Sequence, residues 1–392
     1  MINVAEAKSA ILNQAKLLKP ITLPLMDALG HTLAVDIFAS LDIPAFKQSS
    51  MDGYAIRFED HTMPLIITGE MAAGSSLELN LKPGEAARIF TGAPLPQGAD
   101  TVVMQEKVSV ESGKVSIKDP MLKMGINTRE KGAEVKLGAL AITKDTFLTP
   151  AALGFLAGIG ESHVSVYPKP RVSILLTGKE LQTPGNNLGP GQVYESNSFA
   201  LRGVLLQAGV SQISLYIVDD NLQELKTVLS KALENSDVVL LTGGVSVGDY
   251  DFVVEAARLC GVEQIFHKVR QKPGKPLYFG TSGSKLIFGL PGNPSSVLNC
   301  YYQFVLPAIE TISGRKVVDR FVDAILEVGY EKNAGLTHFV KAFIRNGKVI
   351  PLGAQESFKM SSFAAANCMI ALDEDRTSFA QGETVTVFML PE

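Results

Sequence analysis

The chain reads as a multidomain α/β plus β protein. It has a doubly wound α/β domain, an inserted β module, a helical stem and a C-terminal β module. Three observations predict this. At 392 residues the chain exceeds one ordinary domain, and two to four are expected. Residues 169–316 alternate apolar strand runs with helical periods, the rhythm of a mainly parallel sheet. The stretches on either side are short, β-branched and broken by glycine and proline.

In chain order, residues 3–18 form an amphipathic helix, because Val4, Ala7, Ile11, Ala15 and Leu18 recur at steps of three and four. Pro20 and Pro24 end it. Residues 1–45 and 140–168 make the stem. Between them, residues 46–139 carry PLIITG, ARIFTG, TVVMQEKVSV and GKVSIK, strands of an inserted β module. Residues 145–167 return to a helical pattern, with Thr149 as cap and Pro150 at the first position. That helix is expected to pack on the first one. PKP at 168–170 marks a linker.

The α/β domain, 169–316, opens with RVSILLTG, a continuous apolar run like a strand buried on both faces. SNSFALRGVLLQAG, NLQELKTVLSKALEN, DFVVEAARLCG and NPSSVLNCYYQFVLPAIETI read as helices. SQISLYIV, DVVLLTGG, VEQIFHKV and KLIFGLPG read as strands. In the C-terminal module, 317–392, FVDAILEV, HFVKAFIR, KVIPL, MIAL and TVTVFML are strands of a small barrel or sandwich. Asn346-Gly347 is a two-residue hairpin signal.

Composition narrows the function. Apolar residues make up 46% and charged residues 19%, a folded globular balance. Thirty-six Lys and Arg against 40 Asp and Glu give 36 − 40 = −4, which argues against general nucleic-acid binding. Cys260, Cys300 and Cys368 lie far apart without a CxxC pair and read as small buried hydrophobes. The five histidines show no metal-ligand spacing. The opening MINVAEAKSA lacks a leader's basic and apolar segments. No apolar run approaches the ~20 residues of a membrane helix. A cytoplasmic protein without nucleic-acid or membrane partners is expected.

Against that acidic balance, HKVRQKPGKP (267–276) places Lys268, Arg270, Lys272 and Lys275 within eight residues. Lys272 and Lys275 precede prolines, which favours extended backbone. In polyproline geometry both ammoniums point to one side, about 9 Å apart. Two rigid ammoniums suit a diphosphate or another dianion.

LTGGVSVGDYD (241–251) follows a strand with Gly243, Gly244 and Gly248. Glycines there let backbone N–H groups approach an anion. Asp249 and Asp251 suit a helix cap or a cation. A glycine-rich turn with a capping Asp explains the stretch as well, and its spacing fits neither common nucleotide fingerprint. GLPGNPSS (289–296) offers Asn293 as N-cap and Pro294 at the first helical position. All three stretches lie at carboxyl ends of strands, where open α/β sheets bind ligands. The β module adds Asp52-Gly53, which reads as a turn, FTGAPLPQGAD (90–100), and NTREKGAEV (127–135) with Arg129 and Glu134.

SMDGYA, TGAPLPQGAD, NTREKG, VYESNS, TGGVSVGDYDF, KPGKP, LPGNPSS and QESFKMSSFAAAN occur in that order. The chain thereby resembles the molybdopterin molybdotransferases, molybdenum insertases related to the E domain of gephyrin, over essentially its whole length. The resemblance implies a molybdopterin-binding-type α/β domain and a C-terminal β-barrel-like module. It implies an elongated homodimer whose site is shared between subunits, and contact with the molybdopterin adenylyltransferase. The implied reaction joins adenylyl-molybdopterin and molybdate to give molybdenum cofactor and AMP, with Mg²⁺.

By resemblance, Gly243, Gly244, Ser246 and Gly248 line the pterin and phosphate pocket. Lys268, Lys272 and Lys275 hold phosphates or molybdate. Pro291, Asn293 and Pro294 shape the molybdate pocket. Asp251, Asp220 and Glu180 are the acidic, metal-side positions. Asp52, Thr91 and Arg129 reach in from the partner subunit, and Glu134 belongs to the same catalytic set. Three positions depart from the family pattern. Glu134 and Glu195 stand where Asp is usual, and Lys179 replaces an acid. They motivate an alternative, a catalytically weakened pterin-binding scaffold of the same fold.

Overall fold

The computed structural model describes residues 1–219, 221–244 and 252–391. The chain divides into two compact units. One comprises Met1–Thr22, Gly30–Ala34 and Ser165–Glu392; the other comprises Leu23–Leu29 and Val35–Val164. The helices used below are α1 (Val4–Gln14), α2 (Pro150–Gly158), α3 (Asn197–Gln207), α4 (Leu222–Asn235) and α5 (Phe252–Leu259). Helix α6 is a continuous rod of Pro294–Cys300, a π-helical Tyr301–Val305 and Leu306–Ile312.

The larger unit is built on strands β1 (Val172–Thr177), β2 (Ile213–Val218), β3 (Val238–Thr242), β4 (Glu263–His267), β5 (Tyr278–Ser282) and β6 (Lys285–Leu290). Their order in the sheet is β2-β1-β3-β6-β5-β4. Strands β2, β1, β3 and β6 are parallel. β5 is antiparallel to both β6 and β4. The sequence rhythm missed β5, because YFGTS is too short and glycine-broken to stand out.

β1 and β3 are buried along their whole length, as their unbroken apolar runs require. Ile174, Leu176 and Leu240 face one core with Leu201 and Leu205 of α3 and Val297 and Tyr301 of α6. Leu175, Val239 and Leu241 face the other, with Leu225 and Leu229 of α4 and Val253 of α5. Each such aliphatic side chain contributes about 1.5–3 kcal/mol when fully buried.

Helix α1 starts as its sequence dictates. Asn3 and Glu6 form a reciprocal capping box with both bonds at 2.8 Å. It ends at Gln14, short of the expected Leu18. The Leu18 N–H instead donates to Ile312 O at 2.9 Å, so docking on the end of α6 overrides the periodicity. Ala7 and Ile11 join the first core of the sheet. α2 is capped by Thr149 with Pro150 at its first position, as expected, but it packs on the turn Leu25–Ala28 of its own unit. The helical reading of 145–167 also overran. The backbone breaks at Gly160 (φ +90°), and alternating His163–Tyr167 is a strand.

The C-terminal segment is a barrel and not a sandwich. Strands Thr337–Arg345, Lys348–Pro351, Phe321–Leu326, Thr384–Met389 and Cys368–Leu372 pair in that order, and the last pairs back with the first. Leu326, Val340, Val349, Ile370 and Val387 fill it. Arg345 pairs with Lys348 across Asn346 and Gly347, both at positive φ (51° and 73°), as the hairpin signal predicts.

The smaller unit carries a six-stranded sheet in the order Thr101–Met104, Gly53–Ile56, Glu85–Ile89, Leu65–Met71, Lys114–Ile117 and Val108–Glu111. Gly53 is not the turn residue that Asp52-Gly53 suggests. It opens a central strand, paired with Ile89 on one side and Met104 on the other. A Cβ on Gly53 would collide with the Val103 carbonyl oxygen. Gly53→Ala is therefore expected to destabilise this unit by about 3 kcal/mol, read as a lower denaturant midpoint; an unchanged midpoint would contradict the close approach.

Candidate functional site

In the larger unit, the chain leaves β1 for β2 on one side and returns across to β3 on the other. The switch point lies between the carboxyl ends of β1 and β3. Gly243 (φ +84°) and Gly244 (φ +60°) take the chain out of β3 in the left-handed region. A Cβ on Gly243 would lie 2.7 Å from Thr177 O and 2.8 Å from Thr177 Oγ1. Thr177 Oγ1 in turn donates to Thr242 O at 3.3 Å. Exposed Glu180 follows β1 and exposed Asp219 follows its neighbour β2. Asp220, Ser246, Gly248 and Asp251 lie outside the described residues.

The turn before α6 meets this loop. A Cβ on Gly292 would stand 3.7 Å from Gly243 Cα. Asn293 occupies the cap position, but its side chain does not cap the helix. It donates to Ser357 Oγ at 2.9 Å, while Ser357 O accepts from Ser295 N at 3.0 Å. Asn197 Nδ2 holds Gly292 O at 2.8 Å. Glu195 accepts from Ser198 N (2.7 Å) and Ser198 Oγ (2.5 Å) at the start of α3. Its carboxylate thus orders the helix that carries Asn197. Lys341, buried on the outer face of the barrel strand Thr337–Arg345, donates to Ala354 O (2.8 Å) and Lys359 O (3.0 Å). It fixes the loop that presents Ser357.

The KPGKP loop reaches the same helix. Gln271 and Lys272 pair in parallel with Thr337 and His338 of the barrel. Gln271 Nε2 donates to Gly274 O at 2.8 Å and Asn299 Nδ2 to Pro273 O at 3.0 Å. A Cβ on Gly274 would lie 2.6 Å from Cys300 Sγ and 3.5 Å from Ser296 O. Gly274 (φ +91°) breaks the extended run, and the Lys272–Pro273 peptide is cis. With Gly274 in the left-handed region, the expected polyproline geometry does not form. Side-chain amides from α6 and from Gln271, more than the prolines, hold the loop. Lys272 and Lys275 are exposed, and among the described residues neither makes an ion pair. Arg270 is engaged by Glu374 at 3.2 Å. Half-buried Lys268 sits at φ +74°. Burial pushes the Cys300 thiol up to about 12, so it packs and does not react.

Loops 243–244, 291–294 and 272–275 thus gather at the first turns of α6. That end carries the positive pole of the helix dipole, and its Ser295 N–H is already taken by Ser357 O. Ser295 Oγ and Asn299 Oδ1 are buried there without a partner among the described residues.

His338, paired with Lys272, is held neutral. Burial first, then the charges of Lys272 and Lys332, lower its pKa from 6.5 to about 4. The unfolded chain binds this proton more readily, so His338 costs stability as pH falls from 6.5 towards 4 and nothing above 6.5. Denaturation at pH 7 and pH 5 is expected to show this loss, and His338→Gln to reduce it; an unchanged slope in the variant would contradict the burial.

In the smaller unit, residues 47–52 run between two neighbours. Ser49 N donates to Ala93 O and Gly92 N to Ser49 O. Gln48 and Ser49 pair with Arg129 and Thr128. Asp52, Thr91 and Arg129 are thereby drawn to one edge. Thr91 N and Oγ1 both donate to Asp52 Oδ1 at 2.8 Å. Those two bonds, with a smaller contribution from Arg88, hold the Asp52 carboxyl below its usual pKa. Arg88 donates to Gly53 O at 3.1 Å and stacks on Tyr54 and Phe90. Glu134 is exposed, with its N–H on Ile43 O at 2.8 Å.

Sequence reasoning missed Arg88, Asn197, Lys341 and Ser357 as individual residues. Asn197 and Ser357 lie inside the quoted stretches VYESNS and QESFKMSS, whose recurrence was the available signal. Arg88 and Lys341 carry no local signal.

The larger unit defines the class: residues 173–311 match a probable molybdopterin binding domain. Residues 2–160 match the MoeA N-terminal region and residues 323–390 the MoeA C-terminal region. A molybdopterin molybdenumtransferase of Haemophilus influenzae is 34% identical over 99% of this chain and 98% of its own. One from Nostoc is 36% identical over 92% and 87%. A crystal structure of the molybdopterin biosynthesis MoeA protein of Pyrococcus horikoshii superposes with a TM-score of 0.83 at 30% identity, covering all of both chains. The chain belongs to the MoeA family of molybdopterin molybdenumtransferases.

Proposed function

We propose that this protein is a Mg²⁺-dependent transferase that inserts molybdate into adenylyl-molybdopterin, giving molybdenum cofactor and AMP. The observation that carries the reading is the convergence of glycine loop, proline turn and lysine loop at the first turns of α6. The substrate bears a phosphoanhydride and the co-substrate is an oxyanion, so the site must offset negative charge. Lys268, Lys272 and Lys275 supply cations. Gly243 and Gly244, with Ser246 and Gly248, supply backbone donors free of side-chain bulk. Pro291, Asn293 and Pro294 shape the molybdate side. As the anhydride breaks, the lysines stabilise the charge developing on departing AMP. The dithiolene sulfurs belong to the substrate, so buried Cys300 and Cys368 take no part.

Glu180 and Asp219 are oxygen donors at adjacent strand ends, and Mg²⁺ binds through one or two such carboxylates plus substrate phosphates. Such exposed oxygen donors suit the ion by their chemistry. Glu180, Asp220 and Asp251 would hold the ion, which supplies positive charge to polarise the phosphoanhydride. Lys179, exposed beside Glu180, places a positive charge next to that position.

Asp52, Thr91, Arg129 and Glu134 act from the second subunit of a homodimer. Asp52, kept ionised by Thr91, presents an oriented acceptor to the substrate. The protein works in the cytoplasm and takes its substrate from the molybdopterin adenylyltransferase. The test is AMP release from adenylyl-molybdopterin on adding molybdate and Mg²⁺. Molybdate-dependent AMP supports the transferase. No AMP above background overturns it, and retained pterin binding would then favour the scaffold reading.

A further inference from the structure

We propose that a cavity between α1, α6 and the barrel is a second ligand site, which binds a small carboxylate with an apolar, ring-sized body. The cavity holds about 240 Å³. Its apolar walls are Ile11 and Leu12 of α1, Phe304 and Pro307 of α6, and Phe321 and Phe388, which pair across two barrel strands. An apolar cavity of about 150 Å³ is enough for benzene, so this one has room for a ring and a carboxylate. Lys8 and Gln303 also line it. Gln303 lies 303 − 294 = 9 residues past the start of α6, about 13 Å along the helix from the site proposed above.

Two donors stand in this apolar setting with too few acceptors. Lys8 Nζ donates to Gln303 Oε1 at 2.9 Å and lies 4.7 Å from the centre of the Phe321 ring. It makes no ion pair among the described residues. Gln303 is fully buried, and its Nε2 has no partner among the described residues. A flipped amide would not relieve this, because Nε2 would then face the ammonium. Gln303 sits in the π-helical turn Tyr301–Val305, and such turns recur at functional sites.

The charged and titratable groups around the cavity are Lys8, Tyr302, Asp319 and Arg320. Arg320 is committed to buried Glu310 at 2.6 Å. Asp319 is exposed, and its Oδ1 accepts from Phe321 N at 3.0 Å. Burial lowers the Lys8 pKa to about 8, against the weaker opposing pull of Asp319. Burial pushes Tyr302 up, so its hydroxyl stays neutral. A carboxylate between Lys8 Nζ and Gln303 Nε2 takes a charge-assisted hydrogen bond from the first and satisfies the second. Its apolar body then covers the aromatic and aliphatic walls.

The test is calorimetric titration of the full-length protein with phenylacetate, at constant ionic strength set by chloride. One saturable site per chain is expected. Phenylacetamide, which lacks the charge, and acetate, which lacks the ring, are each expected to bind at least about tenfold more weakly. Lys8→Met and Gln303→Leu are each expected to weaken phenylacetate binding by about 10–100-fold. Because a carboxylate favours the ammonium form, binding takes up protons at pH 8, where free Lys8 is partly neutral, and not at pH 6.5. Titration in two buffers of different protonation enthalpy reads that uptake. No saturable site, phenylacetamide bound as tightly, unchanged affinity in both variants, or equal proton exchange at the two pH values overturns the proposal. This inference does not depend on the transferase reading.

Discussion

Lys275→Ala is expected to slow molybdate-dependent AMP release by about 10²–10³-fold while leaving the fold intact. Lys275 is exposed and makes no ion pair among the described residues, so its loss should change stability by no more than about 0.5 kcal/mol. The loop keeps its shape in the variant, because Gln271, Asn299 and Cys300 hold Pro273 and Gly274 and not the lysine. What disappears is one positive charge of the loop that packs on α6. If that charge acts chiefly on the developing anion, kcat falls and the affinity for adenylyl-molybdopterin changes less. Equal activity in variant and parent would remove the lysine loop from the mechanism.

Gly243→Ala is expected to damage both binding and stability. The residue sits at φ +84°, a region that costs an L-residue about 1–2 kcal/mol. Its new Cβ would also press to 2.7 Å from the Thr177 carbonyl oxygen. That oxygen cannot yield cheaply, since it is backbone at the end of a buried strand. The sum, about 3 kcal/mol, should appear as a lower denaturant midpoint for the α/β unit. Because Gly243 touches the Gly292 turn, displacement of the loop also spreads the anion site. Substrate affinity should fall by more than about tenfold. A variant with parental stability and affinity would show that the loop adapts freely.

The parts legible from sequence were those dictated by local pattern. β1 announces itself as six successive buried residues. Helix α4 follows from Leu225, Leu229 and Leu233 on one face and from the cap on Asn221. The barrel hairpin follows from Asn346-Gly347. Where the reading failed, a partner distant in the chain decided the outcome. Leu18 leaves helical geometry to meet Ile312. Gly53 is required by the Val103 carbonyl and not by a turn. Asn293 has a cap's sequence, yet Ser357, in the barrel segment, takes its side chain.

The candidate site divides the same way. The lysines and glycines were visible by residue type and spacing. Their rigidity was credited to prolines, whereas Asn299 and Gln271 provide it through amide hydrogen bonds. Arg88 behind the Asp52 edge and Lys341 behind Ser357 act through three-dimensional neighbours and leave no mark on local pattern.

The central claim is that the Asp52–Thr91 edge and the lysine loop act on one substrate, contributed by two chains. Subunit mixing tests it most directly. Asp52→Asn and Lys275→Ala proteins, each inactive alone, are combined under conditions that exchange protomers, and AMP release is measured. With random exchange, half the dimers pair the two variants, and each of those holds one intact site. The account predicts recovery to about a quarter of parental activity. A mixture that stays as inactive as its components, with exchange verified, would contradict it.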